Sequence, residues 1–304
     1  TWVAVISLIG FLSFLNSSIS LLKWVFANFL RKPKDLLKTY GSWAVVTGAT
    51  DGIGKAFAFK LAALGFNLVL VSRDAAKLTA VSSQISHDHP RVRIISFQID
   101  LSADDAASKV AAMGRRIENL DVGVLINNAG VTYPKATHFH ELDEGEWMKI
   151  VRVNVVGTSY VTGAVIPNMV AKKTGAVVNI GSGASVVVPS HPLYAVYAAT
   201  KAYVDELSRS LHVEYKGYGV SVQCQVPLYV CTKMASRVAA IEEPSVFVLT
   251  PRDYVEAAVR FIGHEPRCSP YWAHSVQWFF ASLLPEYVLD TWRYSIGLRR
   301  AKQL

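Results

Sequence analysis

The chain has 304 residues, enough for one large domain with extensions. It is 51% hydrophobic and carries a formal charge of +8, from 31 basic and 23 acidic residues. That balance suits an anionic membrane surface or a phosphorylated ligand; with no long basic run and no zinc-finger or RNP-like spacing, nucleic acid is not an expected partner.

Residues 2–22 hold no charged side chain. At a rise of ~1.5 Å per residue this is long enough to cross a hydrocarbon core of ~30 Å as a helix. Arg31, Lys32, Lys34 and Lys38 follow at once, and by the positive-inside rule they place the downstream chain in the cytosol. Residues 1–30 therefore read as a transmembrane anchor and 31–40 as a basic linker. Three cysteines, Cys224, Cys231 and Cys268, without a CxxC pair, argue for a reducing compartment and against a disulfide framework.

Residues 43–47 are short, apolar and β-branched, as in a buried parallel strand. They run into Gly48-Ala-Thr50-Asp51-Gly52-Ile53-Gly54 and then an apolar-periodic helix over 55–64. Strand, glycine turn and helix form a dinucleotide phosphate site: glycine lets the backbone approach a pyrophosphate, and the helix start offers N–H donors. Gly48, Thr50, Asp51, Gly52, Ile53 and Gly54 are accordingly cofactor candidates, although the spacing is GxxxGxG rather than GxGxxG. A second strand is predicted over 67–72, with Arg73 directly after it. An acidic residue there would suit the ribose 2′-OH of NAD; an Arg suits the 2′-phosphate of NADP.

A third strand is predicted over 92–100, with Asp100 at its end as an adenine contact, and a fourth over 122–126, ending in Asn127-Asn128-Ala129-Gly130. His138 and His140 follow two apart with no third ligand at suitable spacing, so no metal site is expected. A helix from Glu144 carries Asn154, a polar residue in an apolar run that needs a partner if buried. The fifth strand, 176–180, is followed by a turn bearing Ser182 and Ser185, hydroxyls placed to bind a substrate carbonyl. Tyr197 and Lys201 then stand four apart, on one face of a helix. A fixed ammonium beside a phenol lowers its pKa from ~10 and makes it an acid-base catalyst. A sixth strand, 220–226, leads to Thr232. This strand–helix alternation specifies an α/β fold, a doubly wound parallel Rossmann sheet, over 41–265.

Residues 233–250 show no strong period and read as a lid or substrate loop. A further helix is predicted over 253–262. The tail, 266–304, is rich in Trp and other apolar residues. It reads either as an interfacial or re-entrant membrane segment or as an amphipathic helix packed on the domain or at a dimer interface. Arg293, Arg299, Arg300 and Lys302 give it a basic end suited to an anionic surface.

In order, the glycine turn Gly48/Gly52/Gly54, Asn127-Asn-Ala-Gly130, Asn154, a serine in 182–185, Tyr197-x-x-x-Lys201 and Thr232 resemble the short-chain dehydrogenase/reductase family. The resemblance implies hydride transfer from NADP(H), with Asn128 and Thr232 at the cofactor. It implies Tyr197 as the acid that protonates the carbonyl, Lys201 as the group that lowers its pKa and contacts the cofactor ribose, Ser182 as the orienter of the substrate oxygen and Asn154 as the anchor of a proton-relay water. Ser182 and Tyr197 stand fifteen apart rather than about thirteen, which reads as a two-residue insertion and keeps Ser185 as an alternative. The stretches 41–56, 212–216 and 222–230 look in turn like the plant very-long-chain 3-oxoacyl-CoA reductases, related to the 17β-hydroxysteroid dehydrogenase type 12 group. This implies an acyl-CoA substrate, the endoplasmic reticulum membrane and other fatty acid elongase subunits as partners, with a homo-oligomer possible. A steroid or other lipid ketone reductase, and a noncatalytic elongase scaffold, are the competing expectations.

Overall fold

The computed structural model describes residues 2–302. The chain falls into two compact units, one ending at Pro33 and the other beginning at Lys34.

The first unit is helix α1, Trp2–Val25, continued by a π-helical turn, Phe26–Leu30. None of the α1 residues is buried. The run Trp2–Leu30 has a mean hydropathy of 1.9 and passes the length and composition test for a membrane span. Glu144–Ala171 passes the same test, but half of it is buried in the second unit, as expected of a core helix.

The second unit opens with α2, Leu36–Tyr40, capped by the Asp35 carboxylate on Lys38 N. Strands and helices then alternate. They are β1 Trp43–Thr47, α3 Gly52–Ala63, β2 Asn67–Ser72, α4 Ala75–Asp88, β3 Ile94–Gln98, α5 Ala106–Ile117 and β4 Val122–Asn127. The chain continues through α6 Glu144–Val151, a π-helical stretch Arg152–Gly157 and α7 Thr158–Ala171 to β5 Gly175–Ile180. There follow α8 Gly183–Val186, α9 Ala195–Lys216, β6 Val220–Gln225, α10 Lys233–Ala239 and α11 Pro251–Ala258. β7 Arg267–Cys268, α12 Trp272–Ser282 and α13 Glu286–Lys302 complete the unit.

The seven strands form one sheet in the order β3-β2-β1-β4-β5-β6-β7, and every neighbouring pair is parallel. Strands β1, β4 and β5 are buried along their whole length, which is why they read as unbroken apolar runs rather than alternating ones. Alternate residues nevertheless serve opposite faces. Ala44, Val46, Leu68, Leu70, Val124 and Ile126 pack with Phe57 and Leu61 of α3 and Tyr254 and Val255 of α11. Val45, Val69, Val71, Leu125 and Val177 pack with Met113 of α5 and Val161, Val165 and Met169 of α7. The strand order reverses between β1 and β4, and open α/β sheets bind ligands in the crevice at such a point, beyond the strands' C-terminal ends.

Four features differ from the sequence expectation, one being α10, a short helix at the start of the stretch 233–250 that reads as a lid or loop. The third strand is shorter, at Ile94–Gln98. The helix expected over 253–262 starts at Pro251, on a Thr250 cap, and tightens into a 3₁₀ turn at Val259–Phe261. Strand β7 was not foreseen: two residues carry too little pattern to read. Its backbone pairs with β6, and buried glutamines of β6 fix the segment that leads into it. Gln223 Nε2 donates to Phe261 O and Glu265 O at 2.9 and 2.6 Å, and Gln225 Nε2 donates to Ala258 O at 3.0 Å.

The tail is two helices of this unit. Leu289, Arg293 and Gly297, four apart, form the buried side of α13. Its close approach requires glycine at 297, where a Cβ would stand 2.6 Å from Leu193 Cδ1. Arg293 is thus turned inward and Arg300 half-buried, while Arg299 and Lys302 remain exposed, so only part of the expected basic end faces solvent.

Candidate active site

At the C-terminal end of β1 the chain turns through Gly48 and Gly52, with φ of +63° and +51°, conformations that favour glycine. Gly54 lies so close to Gly48 O and the Asn128 side chain that a Cβ would collide with both. Asn128 Nδ2 donates to Thr47 O at 3.1 Å and Gly48 O at 3.3 Å, pinning the end of β4 to the turn. Asp51 caps α3 through Gly52 N at 3.0 Å and pairs with Lys233 at 3.0 Å. Burial raises the Asp51 pKa, but the Lys233 hydrogen bond and charge outweigh it, so the carboxylate is held below its usual range. Thr50 shares a 2.8 Å hydrogen bond with Ser72, Ile53 packs against the core, and a Cβ on Gly52 would meet Thr232 Cγ2 at 3.1 Å. Thr232 also caps α10 through Ala235 N. Arg73 is exposed just past β2. Burial raises the Asp100 pKa, but hydrogen bonds from Ser102 and the charge of Arg73 bring it below the ordinary value.

Together these residues make a side-chain-free cradle at a helix start, rimmed by a cation, which fits a dinucleotide carrying an extra phosphate. A groove of about 1160 Å³ adjoins it through Asp51, Gly52 and Thr232 and includes none of the residues described next.

Across the crevice, α9 presents Tyr197 and, one turn on, Lys201. Tyr197 is half-buried. Burial raises its pKa, hydrogen bonding with Ser182 lowers it, nearby Tyr229 raises it, and the net shift is upward. Lys201 is buried, with Nζ donating to Ile180 O at 2.8 Å. Burial lowers its pKa to about 8. The phenol is therefore a protonated acid at neutral pH. The downward pull expected from Lys201 is not among the causes acting on it.

Ser182 caps α8 through Ala184 N at 3.2 Å and is near enough to the phenol to lower its pKa; the Ser185 hydroxyl donates to Ser182 O at 3.2 Å. The single turn of α8 lies between Ser182 and Tyr197. Asn154 sits in the π-helical stretch between α6 and α7. Its Oδ1 accepts from Val131 N at 2.8 Å, and its Nδ2 donates to Val131 O and Thr200 Oγ1, each at 2.9 Å. A buried asparagine here ties the segment after β4 to the catalytic helix. A Cβ on Gly130 would stand 3.5 Å from both Asn154 Oδ1 and Lys201 Nζ, so the two side chains border the same spot.

Sequence reasoning did not find the third wall. Tyr229 and His191 gather with Arg293 and Arg300 of α13 around Tyr194, one turn before Tyr197, and of the four Tyr229 acts on Tyr197 itself. Arg300 Nη2 donates to Tyr229 Oη at 3.1 Å, and Arg293 Nη2 lies 2.6 Å from His191 Nε2. Burial and the two arginines push the His191 pKa down to about 3, so the imidazole is neutral. The signal in the sequence was the spacing of Arg293 and Arg300, two turns apart on one helix face.

A parallel sheet with a glycine cradle at its reversal point and a serine–tyrosine–lysine cluster opposite defines a dinucleotide-dependent oxidoreductase. The family model described as short chain dehydrogenase matches residues 42–243, and the chain belongs to that family. It is 57% identical to a very-long-chain 3-oxoacyl-CoA reductase-like protein of Arabidopsis thaliana, over 96% of this chain and 93% of that one. It is 38% identical to the inactive hydroxysteroid dehydrogenase-like protein 1 of Homo sapiens, over 88% and 80%. It is 37% identical to very-long-chain 3-oxoacyl-CoA reductase-B of Danio rerio, over 87% and 83%. Among solved structures, a 7beta-hydroxysteroid dehydrogenase superposes with a TM-score of 0.75 at 25% identity, covering 87% of this chain and all of that one. A short-chain dehydrogenase from Sphingobium yanoikuyae in complex with NADPH gives 0.68 at 29% identity, over 79% and 91%.

Proposed function

We propose that this protein reduces very-long-chain 3-oxoacyl-CoA to 3-hydroxyacyl-CoA with NADPH, at the endoplasmic reticulum membrane and alongside other elongase subunits. The carrying observation is Ser182 near enough to the Tyr197 phenol to lower its pKa, with buried Lys201 one helical turn on and the glycine cradle at the sheet's reversal point. The substrate class follows the 57% identical relative, and an apolar N-terminal helix suits a lipid substrate.

Gly48, Gly52 and Gly54 admit the pyrophosphate, and Arg73 receives the 2′-phosphate. When bound, NADPH supplies the hydride for the carbonyl carbon. Ser182 holds the 3-oxo oxygen against Tyr197. The phenol gives that oxygen its proton, and the ammonium of Lys201 stabilises the phenolate left behind until a solvent proton restores it. Asn154 keeps the Gly130 segment in register with α9. Residues 41–265 would be the reductase domain, residues 1–30 the anchor with the catalytic unit in the cytosol, and residues 266–304 a tail that reaches both the substrate side and the membrane.

The test is NADPH oxidation by detergent-solubilised protein given a long-chain 3-oxoacyl-CoA. Turnover is expected, with loss of at least ~100-fold in Tyr197→Phe and weaker use of NADH. Turnover of steroid ketones alone would replace the substrate class. The human relative's description as inactive gives the scaffold reading its ground; tight NADPH binding with no turnover of either class would establish it.

A further inference from the structure

Two guanidinium groups of α13 stand about Tyr194 and Tyr229, and Tyr229 in turn acts on Tyr197; among the described residues no carboxylate pairs with them. Arg293 is 8% exposed, and its Nε has no hydrogen-bond partner. Its Nη2 bonds to a neutral imidazole, which accepts but brings no charge, and its guanidinium also bonds toward the Tyr229 phenol. Arg300 reaches Tyr229 with one nitrogen and lies over the same ring, 5.8 Å from its centroid. Burial raises the Tyr229 pKa, but Arg293 and Arg300 overcome it and hold the phenol below its ordinary value. Asp290, one turn before Arg293, is bonded to Ser190. Among the described residues no acidic side chain forms an ion pair with either arginine. A buried cation without a counter-charge is strongly unfavourable, and a planar guanidinium matches phosphate oxygens two at a time.

We propose that Arg300 and Tyr229, backed by Arg293, form an anion-binding point that holds a phosphate of the acyl carrier. The proposal rests on the acyl-CoA reading and deepens it. Pantetheine is long and flexible, so a phosphate held by α13 fixes the carrier while the 3-oxo group lies at Ser182 and Tyr197. This gives the tail helix a task in substrate selection: thioesters with phosphate are favoured over the same acyl group on a carrier without it.

The probe is CoA itself, measured by calorimetry on the full chain saturated with NADP+, so that the nucleotide cradle is already filled. Wild-type protein is expected to bind CoA and to bind pantetheine at least ~10-fold more weakly. Arg300→Gln, at a half-buried position, is expected to lose at least ~10-fold in CoA affinity, with pantetheine binding and melting temperature little changed, and Arg300→Lys to recover part of the loss. Equal CoA binding by wild type and Arg300→Gln would overturn the proposal, as would an equal loss for pantetheine, which would assign the pair to the neutral part of the carrier. Loss of binding to anionic phospholipid vesicles with CoA binding unchanged would assign the arginines to a lipid headgroup and also overturn it. Arg300-dependent CoA binding without reduction of 3-oxoacyl-CoA would leave the anion point standing and remove the catalytic reading.

Discussion

Tyr197 and Lys201 stand four residues apart, but burial governs both. It raises the phenol's pKa and lowers the ammonium's to about 8. Reduction needs the phenol protonated and the lysine charged, and both conditions hold at neutral pH. As pH rises through about 8, Lys201 gives up its charge first. Reductive kcat/KM for NADPH, which reports the free enzyme, is therefore expected to be flat through neutrality and to fall above about pH 8. A stopped-flow pH series on wild type and Lys201→Met checks this; a rate still rising at pH 9 would contradict it. At this scale the residues were legible and their energetics were not. Spacing shows that two side chains share a helix face, whereas a pKa depends on what covers them. The choice between Ser182 and Ser185 was closed to the sequence for a related reason. It depends on the one-turn helix α8, where Ser182 caps the helix and acts on the phenol while the Ser185 hydroxyl turns to Ser182 O.

The π-helical stretch between α6 and α7 sets Asn154 against both Val131 and Thr200. Replacing Asn154 by Ala leaves the half-buried N–H and C=O of Val131 without those partners, at a cost of about 1–2 kcal/mol. The expected result is a lower melting temperature and a kcat decline exceeding any change in NADPH affinity, measured by calorimetry and steady-state kinetics. Equal losses in both would place Asn154 at the cofactor instead. The first six strands could be read because each is a buried apolar run bounded by turn residues. α10 and β7 could not. α10 is a short helix on a Thr232 cap, and β7 is two residues whose backbone pairs with a strand forty residues earlier. The direction of the tail was equally hidden, since helical periodicity does not say which element a face will meet. Here Gly297 and Leu193 decide it.

For the whole molecule, two apolar regions remain uncovered. Trp2–Leu30 buries nothing within its own unit. In the second unit Phe279, Phe280, Leu283, Leu284 and Tyr287 are exposed where α12 meets α13. A contiguous apolar patch of this kind marks an interaction surface. A chain beginning at Lys34 is expected still to sediment with liposomes, and the double change Phe280→Ser, Leu284→Ser to release it while NADPH binding persists. Release of the shortened chain without those changes would confine membrane attachment to α1.

The helix that walls the substrate side, α13, follows every strand of the sheet along the chain. During synthesis the apolar N-terminal helix emerges first, the nucleotide cradle next, and Arg293 and Arg300 only after β7. The site therefore matures from its cofactor side to its substrate side. Because α3 packs on Tyr254 and Val255 of α11, the cradle itself is fully supported only once α11 has emerged, a short stretch of chain before the arginines.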